Sequence, residues 1–337
     1  MDKTLMDEQH FADALIDEIE REDKLSDDAK AHVIHNLHKL KNTKVNILIT
    51  GATGCGKSST INALFGFEKA KVGQGVNPET MDIRKYEYNN IILWDSPGLG
   101  DGKEADIRHS KNIIDKLYEK DNSGEMLIDL VLVILEGATR DLGTSFELIE
   151  SVIIPNLGED KKRLLIAINQ ADVAMKGRNW NYQENCPEPA LVKFLDEKII
   201  STQNRIKEAT GVDVEPIYYS AGYKDGDKNQ NPYNLSKLLL FILRHTKEEK
   251  RAVFAQDINR DKEMWKDDDK LENYREEIQK SLWDSVKDGA SNGANIGENI
   301  GWVFGETGSK IGGAIGTVVG GVASAIGGVI SRFFSWW

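Results

Sequence analysis

The residues with the clearest chemical capacity are Gly51-Ala52-Thr53-Gly54-Cys55-Gly56-Lys57-Ser58. Their spacing is G-x-x-x-x-G-K-[ST], in which glycines let backbone N–H groups converge on a phosphate while the next helix N-terminus favours negative charge. Lys57 is placed to reach the β- and γ-phosphates of a nucleoside triphosphate, and the Ser58 hydroxyl to ligate Mg²⁺. Gly51, Thr53, Gly54, Gly56 and Ser59 complete the cradle, and Cys55 reads as a small filler rather than a reactive thiol. The competing reading is a glycine-rich turn with a chance lysine. Context favours the phosphate loop, because an apolar run, Val45 to Thr50, precedes it and an amphipathic stretch, Ser59 to Phe65, follows.

The elements that must hold this loop follow from the pattern after Lys44, where short apolar runs alternate with amphipathic segments. Val45 to Thr50, Ile91 to Asp95, Leu130 to Leu135, Leu164 to Asn169 and Ile217 to Ser220 predict buried strands. Met81 to Tyr88 predicts an edge strand that turns through Asn89-Asn90 and pairs antiparallel with the Ile91 strand. The expected fold is α/β: a three-layer arrangement with a mainly parallel sheet, one antiparallel edge strand and helical N- and C-terminal extensions. In such sheets ligands bind at the carboxyl ends of the strands.

Those strand ends carry further short motifs. Asp95-Ser96-Pro97-Gly98 resembles the D-x-x-G element of GTPases, Asn169-Gln170-Ala171-Asp172 resembles N-K-x-D with Gln170 in place of lysine, and Ser220-Ala221-Gly222 resembles the S-A-x element. Taken in order, residues 44–247 resemble the P-loop GTPases related to translation factors, particularly the Era-like class. Gly75 to Thr80, together with Ile91 to Gly100, also looks like immunity-related and dynamin-like GTPases. The resemblance implies GTP and GDP as ligands with Mg²⁺ as cofactor. Asp95 would hold the ion through water, the Gly98 N–H would meet the γ-phosphate, Asp172 would accept from guanine N1 and N2, and backbone near Ser220 and Ala221 would meet O6. Adenine would leave the Asp172 carboxylate unpaired, which disfavours an ATPase. Thr80 is assigned as the switch hydroxyl on Mg²⁺, with the alternative that it only begins the edge strand. Gly66 to Thr80 suits a loop that orders on the γ-phosphate.

The resemblance implies a GTPase whose intrinsic turnover is slow, because Leu99 occupies the position after Gly98 and an apolar side chain cannot orient water. Gly54 stands where Era-like relatives carry the asparagine that recruits K⁺, so K⁺ stimulation is not expected. Arg84 or Arg140 could act in trans across a homodimer of G domains, or serve only as surface residues. A GTP-dependent, membrane-associated scaffold in which hydrolysis is secondary is the other functional class carried forward.

Outside the core, residues 1–43 predict two helices, the first with Leu5, Phe11, Leu15, Ile16 and Ile19 on one face, the second starting at Ser26 and ending near Lys41. Residues 248–289 predict a charged helical extension with Trp265, Leu271, Ile278 and Leu282 as its packing stripe. In 290–337, positions 311–331 carry no charge and small residues recur at Gly308, Gly312, Gly316, Gly320, Ser324 and Gly328. A bilayer needs about 20 apolar residues, and such rows let helices approach closely. Membrane insertion or self-association, a hairpin packed on the protein, and a flexible tail are the three readings. The formal charge of −12 over 337 residues gives no reason to expect nucleic acid as a partner. Two cysteines, Cys55 and Cys186, without metal-ligand spacing suggest a reducing, cytoplasmic setting.

Overall fold

Apolar strands alternating with amphipathic helices demand a sheet covered on both faces, and the computed structural model contains one. It describes residues 10–23, 27–66, 71–72, 83–100, 102–139, 142–225, 228–291, 327–331 and 334. The chain forms two compact units: a helical one (1–44, 247–257 and 275–337) and a sheet-containing one (45–246 and 258–274).

In the helical unit, α1 (Phe11–Arg21) buries Phe11, Leu15 and Ile19, spaced to fall on one face. The His10 ring nitrogen caps it by accepting from the Ala12 N–H. The second helix, α2 (Asp27–Asn42), opens on Asp27 and Asp28 and closes on Lys39 and Lys41, signs that suit the helix dipole. Leu5 and Ser26 lie outside the described residues. Ile278, Leu282 and Val286 form the buried stripe of the helix Tyr274–Ser291. Leu271, expected on that stripe, is 74% exposed. It precedes the helix, in a turn where its N–H donates to Asp269 Oδ1, so helical spacing does not apply to it.

Of the 290–337 tail, residues 292–326 lie outside the described residues, and with them most of the glycine row. Val329, Ile330 and Phe334 are buried, and Gly327 lies against the Trp283 ring. Among the described residues no helix is long and apolar enough to cross a membrane.

The sheet unit begins with β1 (Val45–Thr50), buried along its whole length, then α3 (Lys57–Phe65), β2 (Lys71–Val72), β3 (Arg84–Tyr88) and β4 (Ile91–Asp95). After α4 (Lys103–Tyr118) and β5 (Leu130–Glu136) comes α5 (Gly143–Glu147), which runs on through a π-helical turn, Leu148–Ile153. The chain continues with β6 (Leu164–Asn169), the small hairpin β7 (Trp180–Asn181) and β8 (Cys186–Pro187), α6 (Pro189–Thr210) and β9 (Ile217–Tyr218). A second hairpin, β10 (Tyr223–Asp225) and β11 (Lys228–Gln230), leads to α7 (Leu235–Arg244).

The main sheet runs β2-β3-β4-β1-β5-β6-β9. From β4 to β9 every pairing is parallel, and β3 is antiparallel to β4 through the Asn89-Asn90 turn. This is the expected P-loop GTPase arrangement, with the two-residue β2 added antiparallel to β3 at the edge. Leu48, Val131, Val133 and Ile166 share one apolar cluster with Ile113 and Leu117 of α4. Alternation sends Ile47, Ile49, Leu132 and Ile134 to the other face. Each buried aliphatic contributes about 1.5–3 kcal/mol, so the parallel core anchors the loops at its carboxyl edge.

Candidate functional site

The glycine loop leaves the carboxyl end of β1 and enters α3 through Gly56, whose backbone is left-handed at φ 90°. A Cβ there would stand 2.2 Å from Asn169 Nδ2, so the loop approaches β6 more closely than any side chain permits. Lys57 Nζ donates to Gly51 O at 2.8 Å and Ala52 O at 3.3 Å, arching over the loop. Thr53, Gly54, Ser58 and Ser59 are exposed, whereas Gly51 and Cys55 are buried. Burial pushes the Cys55 thiol up from its ordinary value, outweighing the nearby Lys57 charge, which agrees with a filler role.

Asp95 ends β4, the neighbour of β1. Burial raises its carboxyl above the ordinary value, while the Lys57 and Arg84 charges act in the opposite sense. Arg84 stands in register with Asp95 across β3 and β4 of the same chain. One oxygen, Asp95 Oδ1, is buried with no hydrogen-bond donor among the described residues. Gly98 lies over the phosphate loop, where a Cβ would come within 2.7 Å of the Gly51 carbonyl group. Leu99 turns away and packs on the apolar core. The Gly98 carbonyl is also 3.2 Å from His109 Nδ1, a buried ring that sequence spacing does not single out.

The third corner is built around Asn169, 2% exposed at the end of β6. Its Nδ2 donates to Cys55 O at 2.8 Å and its Oδ1 accepts from Ala221 N at 2.9 Å. One side chain thereby joins the phosphate loop to the segment after β9. Gln170 Nε2 donates to Gly54 O at 2.8 Å, so the residue standing in for lysine makes a second tie to the loop. Asp172, 5% exposed, accepts from Ser220 Oγ at 2.7 Å. The structure thus brings together the motifs Gly51–Ser59, Asp95–Gly98, Asn169–Asp172 and Ser220–Ala221. Thr80 and Arg140 lie outside the described residues.

Three other side chains belong to this corner and to none of the motifs. Tyr219 is fully buried, and its hydroxyl meets Thr60 Oγ1 of α3 at 2.6 Å. Lys198 of α6 donates to the carbonyls of Glu136, Gly137 and Thr139 at 3.0, 2.8 and 2.7 Å. It pins the loop after β5, whose Gly137 N–H donates to Asn169 O at 2.7 Å. Asn234, wholly buried, donates from Nδ2 to Tyr218 O at the end of β9. None carries a local signature, because each acts through a backbone carbonyl or hydroxyl distant in sequence.

The sheet order and the glycine loop at its carboxyl edge define a protein with the P-loop GTPase fold. A family model described as Interferon-inducible GTPase (IIGP) matches residues 13–109, a stretch that contains the glycine loop, Asp95 and Gly98. The chain is 39% identical over 70 residues to Interferon-gamma-inducible GTPase 10 of Mus musculus, covering 19% of this chain and 17% of the relative. Interferon-inducible GTPase 1 of Mus musculus matches to the same extent. The chain therefore spans 17% of the length of the curated relatives it matches. Among solved structures, the LeoA bacterial dynamin GTPase from ETEC shares 14% identity at a TM-score of 0.38, over 86% of this chain and 47% of that one. The G domain of the T. maritima FeoB iron transporter shares 18% identity at a TM-score of 0.34, over 60% and 98%. Superpositions this loose carry no functional argument.

Proposed function

We propose that the chain binds GTP and GDP with Mg²⁺ and hydrolyses GTP to GDP and phosphate, slowly without a partner, as a nucleotide switch. The observation that carries this reading is Asn169, whose buried amide ties Cys55 of the phosphate loop to Ala221 beside the Asp172–Ser220 pair. With one Asp172 oxygen engaged by Ser220, the other is left to accept from guanine N1 and N2. Adenine offers no such donor pair, and an unpaired buried carboxylate is costly.

The donor set fits Mg²⁺: Asp95 Oδ1 is buried without a partner among the described residues, and the Ser58 hydroxyl is exposed in the first turn of α3. When bound, the ion neutralises charge on the β- and γ-phosphate oxygens. Lys57 exchanges the Gly51 and Ala52 carbonyls for phosphate oxygens. It then offsets the charge that grows on the β–γ bridge as water attacks the γ-phosphorus and the bridge bond breaks. Leu99 lies against the core, so nothing at that position aligns the water, which supports slow turnover. The match over 13–109 supports the immunity-related side of the resemblance; the Era-like side rests on motif order alone.

Titration with fluorescent GDP and ADP tests the reading. Guanine nucleotide should bind about a hundredfold tighter or more, as expected of a site built to pair polar edges, and Lys57→Ala should abolish binding. Equal affinity for the two bases, or a fully active Lys57→Ala variant, overturns it.

A further inference from the structure

After Asp257 the chain leaves the helical unit, and Ile258–Tyr274 packs with the sheet unit before the helix Tyr274–Ser291 begins. No motif covers this strap, yet its two ends engage two different elements of the nucleotide site.

At one end, Asn259 N donates to Leu64 O at 2.8 Å and Asn259 Nδ2 to Ala63 O at 3.0 Å. These carbonyls belong to the last turn of α3, where helix geometry leaves them without partners of their own. The first turn of α3 carries Lys57 and Ser58. The other end closes on Asn234, whose backbone is left-handed at φ 58°. Its N–H donates to Asp267 O at 2.9 Å and its Oδ1 accepts from Asp269 N at 2.8 Å. Its Nδ2 reaches Tyr218 O at 3.2 Å and Asp269 Oδ2 at 3.3 Å. The adjacent Tyr233 exchanges both backbone hydrogen bonds with Ser220, at 3.0 and 2.9 Å, and Ser220 holds Asp172.

The strap is itself braced. Lys237 Nζ and the Tyr274 hydroxyl fix the two oxygens of Asp269 at 2.7 and 2.6 Å. Trp265, 1% exposed, donates from its indole nitrogen to Asn259 O at 2.8 Å, so the Asn259 end is tied to the middle of the strap.

We propose that Ile258–Tyr274 is a working part of the nucleotide site. Asp269, acting through Asn234, is a positioning residue for Ser220 and Asp172; Asn259 is a positioning residue for α3. Nucleotide binding and strap docking then strengthen one another, since coupling between two sites is reciprocal. The proposal rests on the guanine-nucleotide reading. The chain enters the strap from Lys247–Asp257 and leaves it at Arg275.

Hydrogen exchange on the full chain, with and without GDP, reads the coupling in the unaltered protein. The amides of Asn234, Asn259 and Asp269 should exchange several-fold more slowly with GDP bound, alongside that of Ala221. Two substitutions separate the ends. Asp269→Asn should weaken GDP binding by about fivefold or more, the lower end of ordinary site coupling, and shrink the preference for GDP over inosine diphosphate, which lacks the 2-amino group. Asn259→Ala should weaken both nucleotides alike and leave that preference unchanged. Slowing at Ala221 with indifferent strap amides, or wild-type affinity and preference in both variants, overturns the coupling while leaving the site intact. Absence of GDP binding to the unaltered chain overturns the nucleotide reading and this proposal with it.

Discussion

Replacing Asn169 tests whether one buried amide holds the site together. Asn169→Ala removes two hydrogen bonds, to Cys55 O and from Ala221 N. A buried bond is worth roughly 1 kcal/mol net, and the stranded carbonyl and N–H add part of their own desolvation cost, so the loss should be about 2–4 kcal/mol. For a unit of this size that lowers the melting midpoint by roughly 5–15 °C. Asn169→Asp should be worse at pH 8: it keeps the acceptor for Ala221 but sets a carboxylate oxygen against Cys55 O. Burial raises the pKa of that introduced acid above its unfolded value, so the folded state binds the proton more tightly. Stability should therefore climb as pH falls, when the protonated acid can donate to Cys55 O. Thermal unfolding from pH 5 to 8, with GDP titration on the same samples, measures both effects. An Asn169→Ala protein that melts with the parent, or an Asn169→Asp protein whose midpoint is flat with pH, would refute the role given to this residue.

Asp95→Asn should raise the melting midpoint of the nucleotide-free protein at neutral pH while removing Mg²⁺-dependent nucleotide binding, checked by calorimetry and titration. The sign follows from burial: the folded pKa of Asp95 lies above its unfolded value. Its ionised form therefore costs stability above the folded pKa, a cost that fades as pH falls. Asp172→Asn should reduce GDP affinity about a hundredfold and favour xanthosine diphosphate, because an amide can donate to the xanthine 2-oxo group. Competition binding with the two diphosphates decides it, and an unchanged preference would defeat the base assignment.

The legible parts of this molecule are those with a local physical cause. Buried strands need continuous apolar runs, so β1, β4, β5 and β6 can be placed almost to the residue. Phosphate chemistry needs glycines at fixed offsets, so Gly51 to Ser58 announces itself. The hidden parts depend on partners far away in the chain. Asn259 looks like any loop asparagine until α3 is seen ending beside it, and Lys198 like any helix lysine until three carbonyls converge on it. Leu271 misleads because its helical spacing is cut off by a turn at Asp269. Charge groups the strap with residues 248–289, although it packs with the sheet unit.

The placement of Leu99 sets a limit on travel. Gly98 rests on the phosphate loop and its carbonyl meets His109, while the next side chain, partly buried, packs against the core. Any excursion of Gly98 away from the phosphate loop must lift that side chain off the apolar surface it covers, at a cost of about 25 cal/mol per Å² exposed. The segment after β4 is thus tethered through Leu99.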